Sequence, residues 1–290
     1  MTERSLAFGP SNGLIGTICL PETPQAGGIG VILFNAGVVH RIGPHRFNVR
    51  LARKLAARGI SSIRFDLSGQ GDSPRPHVPQ SFEAQILMDV REAIHALASN
   101  TGLNQFVLFG YCSGAYQGFP IALAEERITG LLMFDAFLYQ TWKSRLNRYI
   151  MRVRQHGLVN SVGGFARREI AAMWNRIFPE KSAAGKGIPG VGDEYFAYLP
   201  TKSAFAADIQ KLLLRDVKVG LIFAGGAFEY YNYADQFQDA FPNLKIGNHL
   251  TQQFFPDMDH LVTGLAAQAE LMEAIERWMV DLNESFSNRN

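Results

Sequence analysis

Two cysteines, Cys19 and Cys112, are all that 290 residues contain, too few for a disulfide scaffold. Charge of one sign is also scarce: 28 Lys and Arg stand against 26 Asp and Glu, a net charge of +2. An excess that small argues against nucleic acid as a partner. No apolar run approaches the length of a membrane span, and the opening MTERSLAFGPSNG lacks the apolar core of a signal peptide. The expectation is a soluble cytoplasmic protein. Internal repeats and low-complexity stretches are missing. The seven histidines are dispersed without ligand spacing, so no metal is expected. Neither Gly69-Gln70-Gly71 nor Gly225-Gly226 falls in a dinucleotide-binding frame, so no cofactor is expected either.

What is present is an alternation of short apolar runs and amphipathic segments. The apolar fraction of 47% is ample for a core. Residues 5–9 and 14–20 read as strands separated by the turn formers Pro10-Ser11-Asn12-Gly13. Residues 30–34, 62–65, 106–109, 130–134, 217–223 and 251–255 read as further strands, most of them continuous apolar runs of the buried kind. Helices are predicted at 47–58, 82–98, from 115 onward, and at 204–214, 233–241 and 265–282. This rhythm predicts an α/β fold with a doubly wound, mostly parallel sheet that binds its ligand at the strand C-termini. From 136 to 201 the rhythm breaks into a long, aromatic, largely helical stretch. A connection of that length reads as a helical cap inserted after the sixth strand, so that 1–135 and 202–290 form the core domain.

The chain turns on Gln105 to Pro120, QFVLFGYCSGAYQGFP. A strand runs into Gly110-Tyr111-Cys112-Ser113-Gly114 and leaves as a helix. That sequence resembles the nucleophile elbow of α/β-hydrolases, usually G-x-S-x-G, in which the central residue occupies a strained turn and its flanks must lack bulk. Centring the motif on Ser113 would place Tyr111 at a small position, so Cys112 is the candidate nucleophile. Ser113 then offers a backbone N–H to an oxyanion hole. A thiol needs a base and a group to orient that base. His260 follows the last strand directly. His249 lies in the polar loop before it and reads as a solvated surface residue. Glu229 is the carboxylate in the turn after the strand at 217–223 and is the first choice for the acid. Asp135, at the end of the preceding strand, is its competitor. The second oxyanion donor falls in Asn35-Ala36-Gly37, with Gly37 the first choice and Ala36 or Val38 the alternatives.

These landmarks, with Arg64 to Ser73 (RFDLSGQGDS) between them, follow α/β-hydrolase order over the whole chain apart from the cap. Gly110-Tyr111-Cys112 is similar to the elbow of dienelactone hydrolases. The runs Asn35 to Arg46 (NAGVVHRIGPHR), Cys112-Ser113-Gly114-Ala115 and Glu229 to Tyr233 (EYYNY) look closer to bacterial hydrolases described as serine-aminopeptidase-like or exosortase-associated.

The helical segment from Thr141 to Arg168 is rich in Lys and Arg, Arg145 among them, and holds no Asp or Glu, a field that draws anions. Trp142 and Tyr149 on the same segment suit an apolar acyl pocket, while His40 and Arg41 add cations beside the oxyanion turn. The expected substrate is a small acyl compound, free or carried on CoA or an acyl carrier protein. The expected activity is ester or thioester hydrolysis through an acyl-Cys112 intermediate. The alternatives are acyl transfer or cyclisation onto an amine or alcohol, and a ligand-binding protein on a hydrolase scaffold that has lost catalysis.

Overall fold

A computed structural model describes residues 1–25, 27–76, 80–156 and 200–287. Eight strands form one sheet in the order β1-β2-β4-β3-β5-β6-β7-β8. They are β1 Thr2–Phe8, β2 Leu14–Leu20, β3 Gly30–Leu33, β4 Ser61–Phe65, β5 Phe106–Tyr111, β6 Ile128–Phe134, β7 Lys218–Ala224 and β8 Leu250–Phe255. The hairpin β1–β2 is antiparallel and joins β4 antiparallel, and every pairing from β4 to β8 is parallel. Strand β1 begins earlier than its sequence suggests because Thr2 pairs with Leu20 at the far end of the hairpin.

Alternation along the central strands divides the core into two layers, as the period of two requires. Ile32, Leu108, Leu131, Met133, Leu221 and Phe223 face one side. Val31, Leu33, Val107, Phe109, Leu132, Phe134 and Ile222 face the other. The first layer is covered by α2 (Phe82–Thr101), α3 (Ser113–Ala124) and α5 (Lys202–Leu214). The second is covered by α1 (Phe47–Ala56) and the final helix α7 (Leu265–Ser287). Helix α1 has the expected reason: Phe47, Leu51 and Leu55 recur on one buried face, and Gly59 lies just beyond its end. Helix α2 starts at Ser81, whose side chain accepts from the Ala84 N–H, and stops at Gly102 in the left-handed region. Each buried Phe or Leu in these layers contributes about 1.5–3 kcal/mol.

The sixth helix, α6 (Gln236–Ala240), is a single turn and shorter than its predicted span of 233–241. Helix α4 (Trp142–His156) lies in the expected cap segment, of which residues 157–199 lie outside the described residues. It is fastened to the loop after β7 by polar contacts. Asn232 Nδ2 donates to the Ser144 carbonyl at 2.9 Å, and Thr141 and Tyr233 share a hydroxyl–hydroxyl bond of 2.7 Å. Among the described residues no helix is long and apolar enough to cross a membrane.

Because β3, β5, β6, β7 and β8 are mutually parallel, their C-terminal ends lie along one edge of the sheet. That edge carries Asn35-Ala36-Gly37, Cys112, Asp135, the 225–231 loop and, soon after β8, His260.

Candidate active site

Cys112 sits between β5 and α3 with φ 53° and ψ −118°, a conformation few side chains adopt. Holding a non-glycine residue there costs about 1–3 kcal/mol, which the surrounding packing must offset. The flanking glycines show how the strand and helix come so close. A Cβ on Gly110 would lie 2.4 Å from the Ala115 Cα, and one on Gly114 would lie 2.9 Å from the Asn35 carbonyl oxygen. The pentapeptide is therefore centred on Cys112, as its sequence implies, and helix α3 begins at the next residue. Gly110→Ala is expected to destabilise the fold by about 1–3 kcal/mol or more, because the clash is with backbone rather than a flexible side chain. A urea denaturation midpoint measures it.

Ser113 is buried, with its Oγ 3.5 Å from where a Cβ on Gly37 would stand. The two residues expected to supply oxyanion donors are thus neighbours. Gly37 has φ +56°, inside a turn closed by the Val39 N–H on the Ala36 carbonyl at 3.1 Å. The turn is anchored from below by Asn35. Its Nδ2 donates to Asp66 Oδ1 and to the Val39 carbonyl, both at 2.8 Å, and its Oδ1 accepts from the Leu67 N–H at 2.7 Å.

His40 and Arg41, expected to meet substrate, are engaged in this same scaffold. The Arg41 N–H donates to Asp66 Oδ1 and its guanidinium to Asp72, both at 2.6 Å, with a further bond to Asp66 Oδ2. His40 lies 3.3 Å from both Asp66 and Asp72. The ligand atoms of His40, Asp66 and Asp72 lie within 4.8 Å of one another, a juxtaposition the sequence did not reveal. The Arg41 guanidinium already pairs with both carboxylates, which makes the cluster a brace for the turn at Gly37.

His260 meets a carboxylate, and it is Asp135. His260 Nδ1 lies 2.8 Å from Asp135 Oδ2, while Asp135 Oδ1 accepts from the Ala224 N–H at 2.7 Å. The Asp135 side chain is fully buried, and burial raises its pKa above the usual carboxylate value against the hydrogen bonds that lower it. Hydrogen bonds donated to Asp135, and then to Cys112, push His260 up to about 10 despite partial desolvation. With Nδ1 on Asp135, Nε2 is the nitrogen left for Cys112. His260 thus has Asp135, just after β6, and Cys112, just after β5, as hydrogen-bond partners.

The first choice for the acid, Glu229, is elsewhere. Its carboxylate is half exposed and pairs with Arg152 at 2.6 Å and Arg148 at 3.6 Å, both on α4. The physical reason is local backbone. Residues Gly225–Ala227 form a 3-10 turn that carries Glu229 outward onto α4. Asp135 adopts φ 51° immediately after β6, and its carboxylate lies against the His260 ring. A non-glycine residue at positive φ is a known mark of functional sites, and it leaves no trace in sequence. Of the other expected contacts, Trp142 is 77% exposed, Arg145 is exposed and Tyr149 is partly buried, all on α4. His249 lies away from this edge on Asp216 and Lys218.

The raised proton affinity of His260 has a consequence for stability. The folded state holds that proton up to about 10, whereas an ordinary histidine releases it near 6.5. Between those values the native state binds more protons than the unfolded chain, so stability falls as pH rises through this window. It is fully present below about pH 6.5. Urea midpoints at pH 6, 8 and 10 should decline, and His260→Ala should flatten that decline.

The family model described as serine aminopeptidase, S33, matches residues 32–172, which take in the Asn35 turn, the elbow and Asp135. Comparison with curated proteins gives no match. Among solved structures, the chain is similar to an esterase of Pyrococcus furiosus at 12% identity and TM-score 0.58, over 97% of this chain and 91% of that one. It is similar to proline iminopeptidase of Mycobacterium smegmatis at 15% identity and TM-score 0.52, covering 98% and 99%. A third likeness is to an α/β serine hydrolase without lid from Xanthomonas campestris, at 15% identity and TM-score 0.51, covering 96% and 94%.

Proposed function

We propose that this chain, whose fold is that of the α/β-hydrolases, cleaves an ester or thioester through an acyl intermediate on Cys112. The observation that carries the reading is the line Asp135–His260–Cys112, with the thiol on a strained elbow beside Ser113 and Gly37. Esterases and an iminopeptidase share this fold, and serine is the usual residue where this chain has Cys112.

In the proposed reaction His260 Nε2 already holds the proton of the Cys112 thiol, as its raised proton affinity favours, and the sulfur reacts as the thiolate. The sulfur attacks the substrate carbonyl carbon, and the carbonyl oxygen takes up the charge. Backbone N–H groups of Ser113 and of the turn at Gly37 hold that oxyanion, an interaction worth on the order of 10²–10³ in rate per donor. Collapse expels the alcohol or thiol, which takes its proton from His260 and leaves an acyl-Cys112. Water then attacks the thioester carbonyl as His260 removes a proton, and a second collapse releases the carboxylic acid and returns the thiol. Asp135 holds the imidazole by Nδ1 and balances its charge throughout.

The exposed arginines of α4, such as Arg145, make carrier-borne thioesters part of the test. Incubation with activated esters, acyl thioesters and amino-acid amides, followed by intact-mass spectrometry, is expected to give a covalent adduct on Cys112 and free acid. No adduct and no turnover across that panel would sink the reading.

A further inference from the structure

Cys112 follows β5 and His260 follows β8, and two strands, β6 and β7, lie between them in the sheet. At about 4.8 Å per strand the two supports are roughly 14 Å apart, and no ladder hydrogen bond fixes one against the other. A thiol–imidazole pair tolerates little error, since misplacement of about 1 Å can cost on the order of 10²-fold. Asp135 holds the histidine ring from β6, but a ring contact leaves the backbone of the histidine loop free to shift. Something must tie that backbone to the elbow.

Tyr111 is placed to do so. It is the last residue of β5 and the one before Cys112, and it is buried. Its ring stacks on Phe134 at 4.7 Å with an interplanar angle of 26°. Its hydroxyl donates to the main-chain carbonyl of His260 at 2.6 Å. The ring centroids of Tyr111 and Phe134 both lie 6.3 Å from the His260 imidazole. A buried phenol hydroxyl that found no acceptor would carry the full cost of its lost hydration, so this bond is strongly preferred over leaving it unmade. The other end of the loop is held independently by the Gly226 N–H on the Met258 carbonyl at 2.8 Å.

We propose that Tyr111 is a positioning residue of the Cys112–His260 pair: its hydroxyl fixes the histidine main chain to the residue that precedes the nucleophile. The brace makes thiol and imidazole move together. The inference rests on the proposed Cys112–His260 chemistry and adds to it a residue that touches neither substrate nor the reacting atoms.

The test is Tyr111→Phe, which keeps the stacked ring and removes the oxygen. Alkylation of Cys112 by iodoacetamide is followed by mass spectrometry from pH 6 to pH 10. The ratio of the rate at pH 6 to that at pH 10 is expected to fall about fivefold, because at pH 6 reactivity depends on a well-placed His260. With an ester that turns over, kcat should drop about tenfold with KM unchanged. Incorporating 4-aminophenylalanine at 111, which restores an N–H donor at the same place, should return the wild-type ratio. An unchanged ratio in the Phe variant would overturn the proposal, as would failure of the amino variant to restore it. Loss of the fold in the Phe variant would overturn it too, assigning Tyr111 to the core. His260→Ala separates the two readings. If its ratio equals that of the wild type, the Cys112–His260 pair itself fails; if it falls while Tyr111→Phe does not, the brace alone fails.

Discussion

Cys112→Ala is expected to lose every covalent adduct with activated esters and thioesters and to lower turnover by on the order of 10³-fold or more. The fold should survive. Alanine is no larger than cysteine, and the elbow's close approach is made by Gly110 and Gly114 rather than by the central side chain. Circular dichroism and intact-mass spectrometry check the two halves of this outcome. Adducts that move to Ser113 would show that the motif is centred one residue along. Its buried position, packed against Gly37, argues against that. Cys112→Ser should be impaired rather than equivalent. A hydroxyl ionises far less readily than a thiol and leans harder on its base, in a site shaped around sulfur. Full activity in the serine variant would make the cysteine incidental.

Asp135→Asn is the second large effect. It should lower turnover by on the order of 10²–10⁴, because the imidazole loses its partner for Nδ1 and the charge that balances it. The alkaline limb of the pH–rate profile should move to lower pH as well, since the Asp135 hydrogen bond is the largest cause of the raised proton affinity of His260. Glu229→Gln should cost less than about tenfold. That residue sits in an exposed pair with Arg152 and Arg148, and such pairs are worth little in water. The opposite ranking, read from kcat/KM of the two variants with one activated ester, would return the acid role to Glu229.

That pair of variants also marks the line between what local and distant sequence encode. Helix positions were legible because burial on one face imposes a period, as α1 displays, and central strands because burial on both faces makes a continuous apolar run, as in β5. The elbow was legible for a steric reason confined to five residues: a Cβ at Gly110 or Gly114 has no room, so the glycines announce the turn. His260 was legible from its place after the last strand. The acid was not. Glu229 and Asp135 each follow a strand, and the choice between them rests on a 3-10 turn at one and a positive φ at the other.

The partners of His40 and Arg41 were hidden for a related reason. Their charge beside the Asn35-Ala36-Gly37 turn is plain in the sequence, but the carboxylates that pair with it, Asp66 and Asp72, arrive from the loop after β4. The bond from Tyr111 to the His260 carbonyl spans 149 positions of chain. By itself, then, the sequence determined the sheet's alternation, the elbow and the identity of its central thiol, all set by period and sterics within a few residues. Which carboxylate faces the histidine, which cations are already paired and what ties the histidine loop to β5 were decided only when parallel strands brought their C-terminal ends to one edge. Hydrogen-bond partners are a matter of distance in space, and sequence patterns report distance along the chain.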